Sequence, residues 1–291
     1  MGGYENGHWQ SADGLNLHYR DYPGRADRPP ILCVPGLTRN ARDFEEIAER
    51  LAGEWRVLAI DLRGRGDSDY ARDSASYTPL TYVDDVLALL DQLALPRVVM
   101  FGTSLGGIVT MLLAVRARER LAGALLNDVG PEIEAAGLAR IASYVGKSGS
   151  FPTWMHAARA LEESNGDVYP RYEVEDWLAM AKRLYYVNAS GRIVLDYDMR
   201  ISEPFREAGG AAAPDMWPAL KALSGLPVLV VRGGRSDILS AATAERMAAG
   251  LPGCELITIS DVGHTPTLSE PEAVTAVDAL LNRVDRERAS S

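Results

Sequence analysis

Gly102-Thr103-Ser104-Leu105-Gly106 follows the apolar run Val98 to Phe101 and precedes a segment of helical periodicity. A serine with glycine two residues before and two after, at a strand-to-helix junction, is the G-x-S-x-G elbow. The chain turns there so sharply that the flanking positions must be small. Gly102 and Gly106 meet that demand.

Working outward, apolar runs alternate with helix-period segments over most of the chain, the pattern of a largely parallel sheet wrapped by helices. His8 to Ala12 and Leu15 to Asp21 flank Asp13-Gly14 and read as an antiparallel hairpin with a two-residue turn. Ile31 to Val34, Val57 to Ile60, Val98 to Phe101, Ala124 to Leu126, Val228 to Val231 and Leu256 to Ile259 read as buried strands. Between them, Val83, Val86, Leu87, Leu90 and Leu93 recur at helical spacing, with Thr81 as the expected N-cap and Asp84 and Asp85 in the first turn. From Pro131 to about Trp217 the alternation stops, and stretches such as Trp154 to Glu163 and Val174 to Tyr186 read as helices. The expectation is an α/β core from residues 1–130 and 218–291, with a mostly parallel eight-stranded sheet and helices on both faces, and an inserted helical cap over 131–217. Eleven of the 21 aromatic residues fall between Tyr144 and Trp217, so the cap is aromatic-rich. Trp154, Trp177, Tyr185, Tyr186 and Trp217 are candidates for lining an apolar substrate pocket, or else for giving a thin cap its own core.

The composition excludes several functions. At 291 residues, 47% hydrophobic and 24% charged, the chain has ordinary globular values. A net charge of -10 disfavours binding to a phosphate backbone, so no nucleic-acid partner is expected. No basic, apolar leader opens the sequence and no run has the length of a membrane helix, so a cytoplasmic chain without a membrane partner is expected. Two cysteines, Cys33 and Cys254, make neither a disulfide framework nor a metal cluster. No dinucleotide loop, Walker sequence or His/Cys metal spacing occurs, and neither cofactor nor metal is expected. Arg65-Gly66-Asp67 and Asn188-Ala189-Ser190 spell an adhesion tripeptide and a glycosylation sequon, and both are read as non-functional in a cytoplasmic chain. The expected partner is a small-molecule substrate, for a monomer or homodimer.

A serine hydroxyl needs a histidine to accept its proton and a carboxylate to fix that imidazole. His8 and His18 lie in the hairpin and His156 in the insert, whereas His264 follows the last buried strand, at the carboxyl edge of the sheet where ligands bind. Asp237 follows the penultimate strand at the same edge and is the favoured acid, giving the order Ser, Asp, His. Asp128, just after Ala124 to Leu126, is its competitor. The backbone N–H of Leu105 and that of Leu37, in Val34-Pro35-Gly36-Leu37, are the expected oxyanion donors. Arg39, beside that turn, is a candidate contact for a substrate carboxylate.

Taken together, Pro35-Gly36-Leu37, Asp61 to Ser68, the Ser104 elbow, Gly234 to Asp237 and Gly263-His264 make the chain resemble the α/β-hydrolase family over nearly its whole length. One departure is Pro35-Gly36, where many relatives carry His-Gly. The resemblance implies Ser104 as nucleophile, Asp237 as acid, His264 as base and Leu37 and Leu105 as oxyanion donors. It implies a serine-dependent hydrolase, forming an acyl-enzyme from an ester or lactone of a small apolar or aromatic substrate. The alternatives are a carbon–carbon bond hydrolase of ring-fission diketones, a cofactor-free perhydrolase, and a ligand-sensing protein that keeps the fold.

Overall fold

The computed structural model describes residues 3–204 and 214–290. The apolar runs become strands because each is long enough to cross a sheet and too short for a buried helix. In chain order they are β1 (Glu5–Gln10), β2 (Asn16–Tyr22), β3 (Ile31–Val34), β4 (Val57–Ile60), β5 (Val98–Thr103) and β6 (Leu121–Asn127). After an inserted stretch holding the short β7 (Ser150–Phe151), β8 (Tyr185–Val187) and β9 (Ile193–Leu195) come β10 (Val228–Gly233) and β11 (Cys254–Ile259). The main sheet has eight strands in the order β1-β2-β4-β3-β5-β6-β10-β11. Pairing is antiparallel from β1 through β2 to β4 and parallel from there to β11.

Successive residues of a strand point to opposite faces, so this sheet is buried on both. Leu32, Val34, Leu58, Ile60, Val98 and Met100 belong to one core cluster. It also holds Val83, Val86 and Leu90 of α2 (Pro79–Gln92) and Val109 and Leu113 of α3 (Leu105–Ala117). Ile31, Cys33, Val57, Ala59, Val99 and Phe101 belong to the other, with Ile47 and Ala48 of α1 (Glu45–Leu51) and Val277 and Leu280 of the C-terminal helix Pro271–Ser290.

Two local expectations change. The β1–β2 turn is a wider loop, Ser11 to Leu15, because the Ser11 hydroxyl accepts from the Leu15 N–H while Gly14, at φ +83°, lets its own N–H reach the Ser11 carbonyl. Helix α2 is capped by Thr78, whose hydroxyl accepts from the Thr81 N–H, and Pro79 occupies its first position, where a missing N–H costs nothing. Asp85 therefore lies past the first turn and is buried. Its carboxylate takes two hydrogen bonds from Arg63, at 2.7 and 2.6 Å, and its carbonyl accepts from the Trp9 indole at 2.9 Å. Asp61 is a second buried junction: its oxygens accept from the Ala41 and Asp67 N–H groups, and its Oδ2 faces His18 Nδ1 at 2.7 Å.

The stretch expected to be helical holds α4 (Ala135–Tyr144), α5 (Trp154–Asn165) and α6 (Val174–Leu184). It also holds a small antiparallel sheet ordered β7-β9-β8, whose short, half-exposed strands carry no long apolar run to announce them. Residues 205–213 of the stretch lie outside the described residues. It meets the core through backbone: Gly66 N–H donates to the Asp196 carbonyl and Asp198 N–H to the Gly64 carbonyl.

Removing one member of a buried ion pair leaves the other charge uncompensated, at a cost of about 3–5 kcal/mol. Arg63→Met is expected to destabilise by about that amount in chemical denaturation, and Arg63→Met with Asp85→Leu by much less, because the stranded carboxylate has gone.

Candidate active site

Ser104 sits between β5 and α3 with φ 52° and ψ −113°, a conformation that L-residues seldom adopt. The neighbouring glycines explain how it is held. A Cβ on Gly102 would overlap the carbonyl of Gly106, and one on Gly106 would overlap the carbonyl of Val34, so β3, β5 and α3 approach at backbone distance. The Ser104 N–H donates to the Asn127 carbonyl at 3.0 Å, tying the turn to the end of β6.

The hydroxyl faces His264, with Ser104 Oγ 2.9 Å from Nε2. On the other side of the ring, Nδ1 lies 2.7 Å from Asp128 Oδ2. Asp128 has no exposed surface and is held by the loop after β10, accepting from the Gly233 N–H at 2.8 Å and the Ser236 hydroxyl at 2.7 Å.

The expectation for Asp237 is therefore corrected. Its carboxylate takes a bidentate pair from Arg140 of α4, at 2.5 and 2.8 Å, and those hydrogen bonds hold it below the usual carboxylate range. The loop after β10 spends Gly233 and Ser236 on positioning Asp128, and its own acid turns toward α4. Because β6 is the immediate neighbour of β5, Asp128 emerges one strand from the elbow. In sequence the two acids carry the same signal, since each follows an apolar strand at the carboxyl edge of the sheet.

Leu37 and Leu105 both lie beside Ser104 in the fold. A Cβ placed on Gly36 would be 3.7 Å from Ser104 Cβ, so the turn after β3 runs alongside Ser104. Among the described residues the Leu37 N–H has no acceptor. The Leu105 N–H opens α3, where no intrahelical acceptor exists.

Ser104 opens into an apolar cavity of about 270 Å³ whose walls include Leu37, Tyr77, Tyr82, Leu138, Ile141 and Ile238. The aromatic candidates are absent from that wall as described. Trp154, Trp177 and Tyr185 pack into the insert's own cluster with Ala157, Met180 and Ile193, because two helices and a three-stranded sheet need large side chains to bury anything. Tyr186 is exposed on β8. Trp217 donates its indole N–H to Glu132 at 2.7 Å and lies under the Arg246 guanidinium. Tyr77 and Tyr82 were missed, since they read as ordinary residues around α2; burial, and then the hydrogen bond to Asp198, push the Tyr77 phenol up.

Arg39 makes a bidentate pair with Asp43, at 2.5 and 2.7 Å, so its guanidinium is already neutralised. It lines a second, polar cavity of about 300 Å³ with Thr103, Tyr169 and Thr265. Neither thiol competes with Ser104: burial pushes Cys33 up, and Cys254 up to about 11.

A serine on a strained elbow with an imidazole and a buried carboxylate in line, at the carboxyl edge of a mostly parallel sheet, defines the α/β-hydrolase class. The profile described as the Alpha/beta hydrolase family matches residues 31–277, and the chain belongs to that family. It is 34% identical over 272 residues to a 3-hydroxybutyrate-oligomer hydrolase of Cupriavidus necator, covering 91% of this chain and 92% of that one. It is 24% identical to a 3-oxoadipate enol-lactonase of Acinetobacter baylyi, over 94% of this chain and 96% of the relative. The crystal structure of an α/β hydrolase from Novosphingobium aromaticivorans superposes with a TM-score of 0.93 at 56% identity, covering 97% and 99% of the two chains. The chain is thus an enzyme of the hydrolase class. Among the described residues, no helix is long and apolar enough to cross a membrane.

Replacing each acid separately by asparagine tests the geometry. Asp128→Asn is expected to lower kcat by roughly ten-thousand-fold, the scale on which loss of the orienting carboxylate acts. Asp237→Asn is expected to leave kcat within a few-fold of the parent in the same steady-state assay.

Proposed function

We propose that the chain is a serine carboxylic ester hydrolase that cleaves small aliphatic esters of the hydroxy-acid type through an acyl-enzyme. The observation that carries this reading is the 2.9 Å contact from His264 Nε2 to a Ser104 hydroxyl that opens into an apolar cavity. Ser104 Oγ attacks the ester carbonyl as His264 Nε2 takes its proton, and Asp128 holds the Nδ1–H and stabilises the imidazolium. The Leu37 and Leu105 N–H groups receive the developing oxyanion. His264 then protonates the departing alkoxide, and a water activated by the same imidazole releases the acid.

The substrate class rests on the cavity and on kinship. Leu37, Leu138, Ile141 and Ile238 offer branched aliphatic contacts that suit a short acyl chain. The aromatic insert residues, which would have suited a ring-fission diketone, are turned into a separate core. The relative from Cupriavidus necator is named for hydrolysis of 3-hydroxybutyrate oligomers, and that ester class fits a small aliphatic pocket.

A substrate panel tests this reading. Short aliphatic esters and 3-hydroxybutyrate dimer are expected to turn over with a burst of released alcohol, and Ser104→Ala to abolish it. Turnover of a ring-fission diketone with no ester hydrolysis contradicts the assignment. Leu138→Trp, which fills the cavity, is expected to raise KM steeply for six-carbon acyl esters while acetyl esters change little.

A further inference from the structure

Arg65 has no exposed surface and, among the described residues, no carboxylate within ion-pair distance. Its neighbour in the same motif, Arg63, has two carboxylate partners, Asp13 and Asp85. Arg65 instead donates Nε to the Leu37 carbonyl at 2.9 Å and Nη1 to the Arg63 carbonyl at 2.7 Å and the Tyr82 hydroxyl at 2.9 Å. Its Nη2 is buried and, among the described residues, has no hydrogen-bond partner. The guanidinium carbon lies 4.9 Å from the Tyr82 ring centroid and 5.7 Å from that of Tyr77. Leu37, Tyr77 and Tyr82 all line the cavity into which Ser104 opens, so this charge stands directly behind the cavity wall.

A buried cation without a counter-ion is costly, and fixed positive charge is most effective where negative charge develops in a transition state. From the geometry we infer that Arg65 is a positioning residue for the oxyanion. Its Nε–H clamps the Leu37 carbonyl and so fixes the turn that presents the Leu37 N–H, while its unneutralised charge favours the oxyanion across a low-dielectric wall. The balance of charge agrees. Proton transfer from Ser104 to His264 makes an imidazolium beside Asp128 and leaves the new negative charge on the substrate oxygen, on the Leu37 side of the site. Arg65 is buried against Leu37 on that side and, among the described residues, has no carboxylate partner. The Arg65 backbone also bridges to Tyr197, so the insert secures the loop that carries it.

This inference rests on the ester-hydrolase reading, and the experiment separates the two. On a short aliphatic ester, Arg65→Met is expected to lower kcat roughly 30- to 100-fold, below the loss for a direct oxyanion donor, with KM within about threefold. Affinity for an alkyl boronic acid, which mimics the tetrahedral intermediate, is expected to fall by a similar factor, and affinity for the product carboxylic acid to change little. Arg65→Lys, which restores the charge without the planar fork, is expected to recover part of kcat. If Arg65→Met does not fold, the same constants are read on Arg65→Gln and Arg65→Lys. An unchanged kcat, or equal weakening of boronate and product, overturns the role for Arg65 while Ser104→Ala remains inactive. Activity surviving in Ser104→Ala overturns the underlying reading instead.

Discussion

The structure depends on one crowded turn. Ser104 is held at positive φ because β3, β5 and α3 meet there at backbone distance, and glycine at 102 and 106 is what permits the approach. Such a conformation costs on the order of 1–3 kcal/mol and persists only where the surroundings over-determine it. Here they do: β3 and the apolar run Val98 to Phe101 of β5 have no exposed surface, and the Ser104 N–H is tied to β6. The strain has a chemical consequence, since it lifts the hydroxyl off the sheet toward the loop that follows β11 and bears His264.

Around that point the sheet order assigns the remaining parts. β3 and β6 flank β5, so the turn carrying Leu37 and the Asp128 carboxylate arrive from opposite sides of Ser104. β10 lies one strand further out and supports the site by donating to Asp128 from its last residue, Gly233, and from Ser236 of the loop that follows. The polar groups near the site are thus committed in layers. Asp128 serves the imidazole, Asp43 neutralises Arg39, Asp237 neutralises Arg140, and Arg65 is left to act on the Leu37 turn.

Much of this was readable from the chain because buried strands write themselves as apolar runs and elbows as paired glycines. β3 and β4 have the bounds their runs suggested, and Ser104 and His264 meet as their order implied. The acid was not decidable in the same way. Asp128 and Asp237 both follow strands at the same edge, and only the three-dimensional path of the loop after β10, with Ser236 reaching Asp128 and Arg140 capturing Asp237, separates them. The pocket wall was hidden for a related reason. Aromatic residues mark wherever bulk is needed, and in the insert that is a local core around Trp177. The aliphatic residues at Ser104 come from segments far apart in the chain, so no local pattern reveals them.

The most direct test of the account is the site of covalent modification by an alkyl p-nitrophenyl phosphonate, read by intact mass and peptide mapping. The account predicts one phosphonyl group per chain, on Ser104, with release of one equivalent of nitrophenol and complete loss of activity. Labelling at any other residue, or full activity in a chain modified at Ser104, would contradict it.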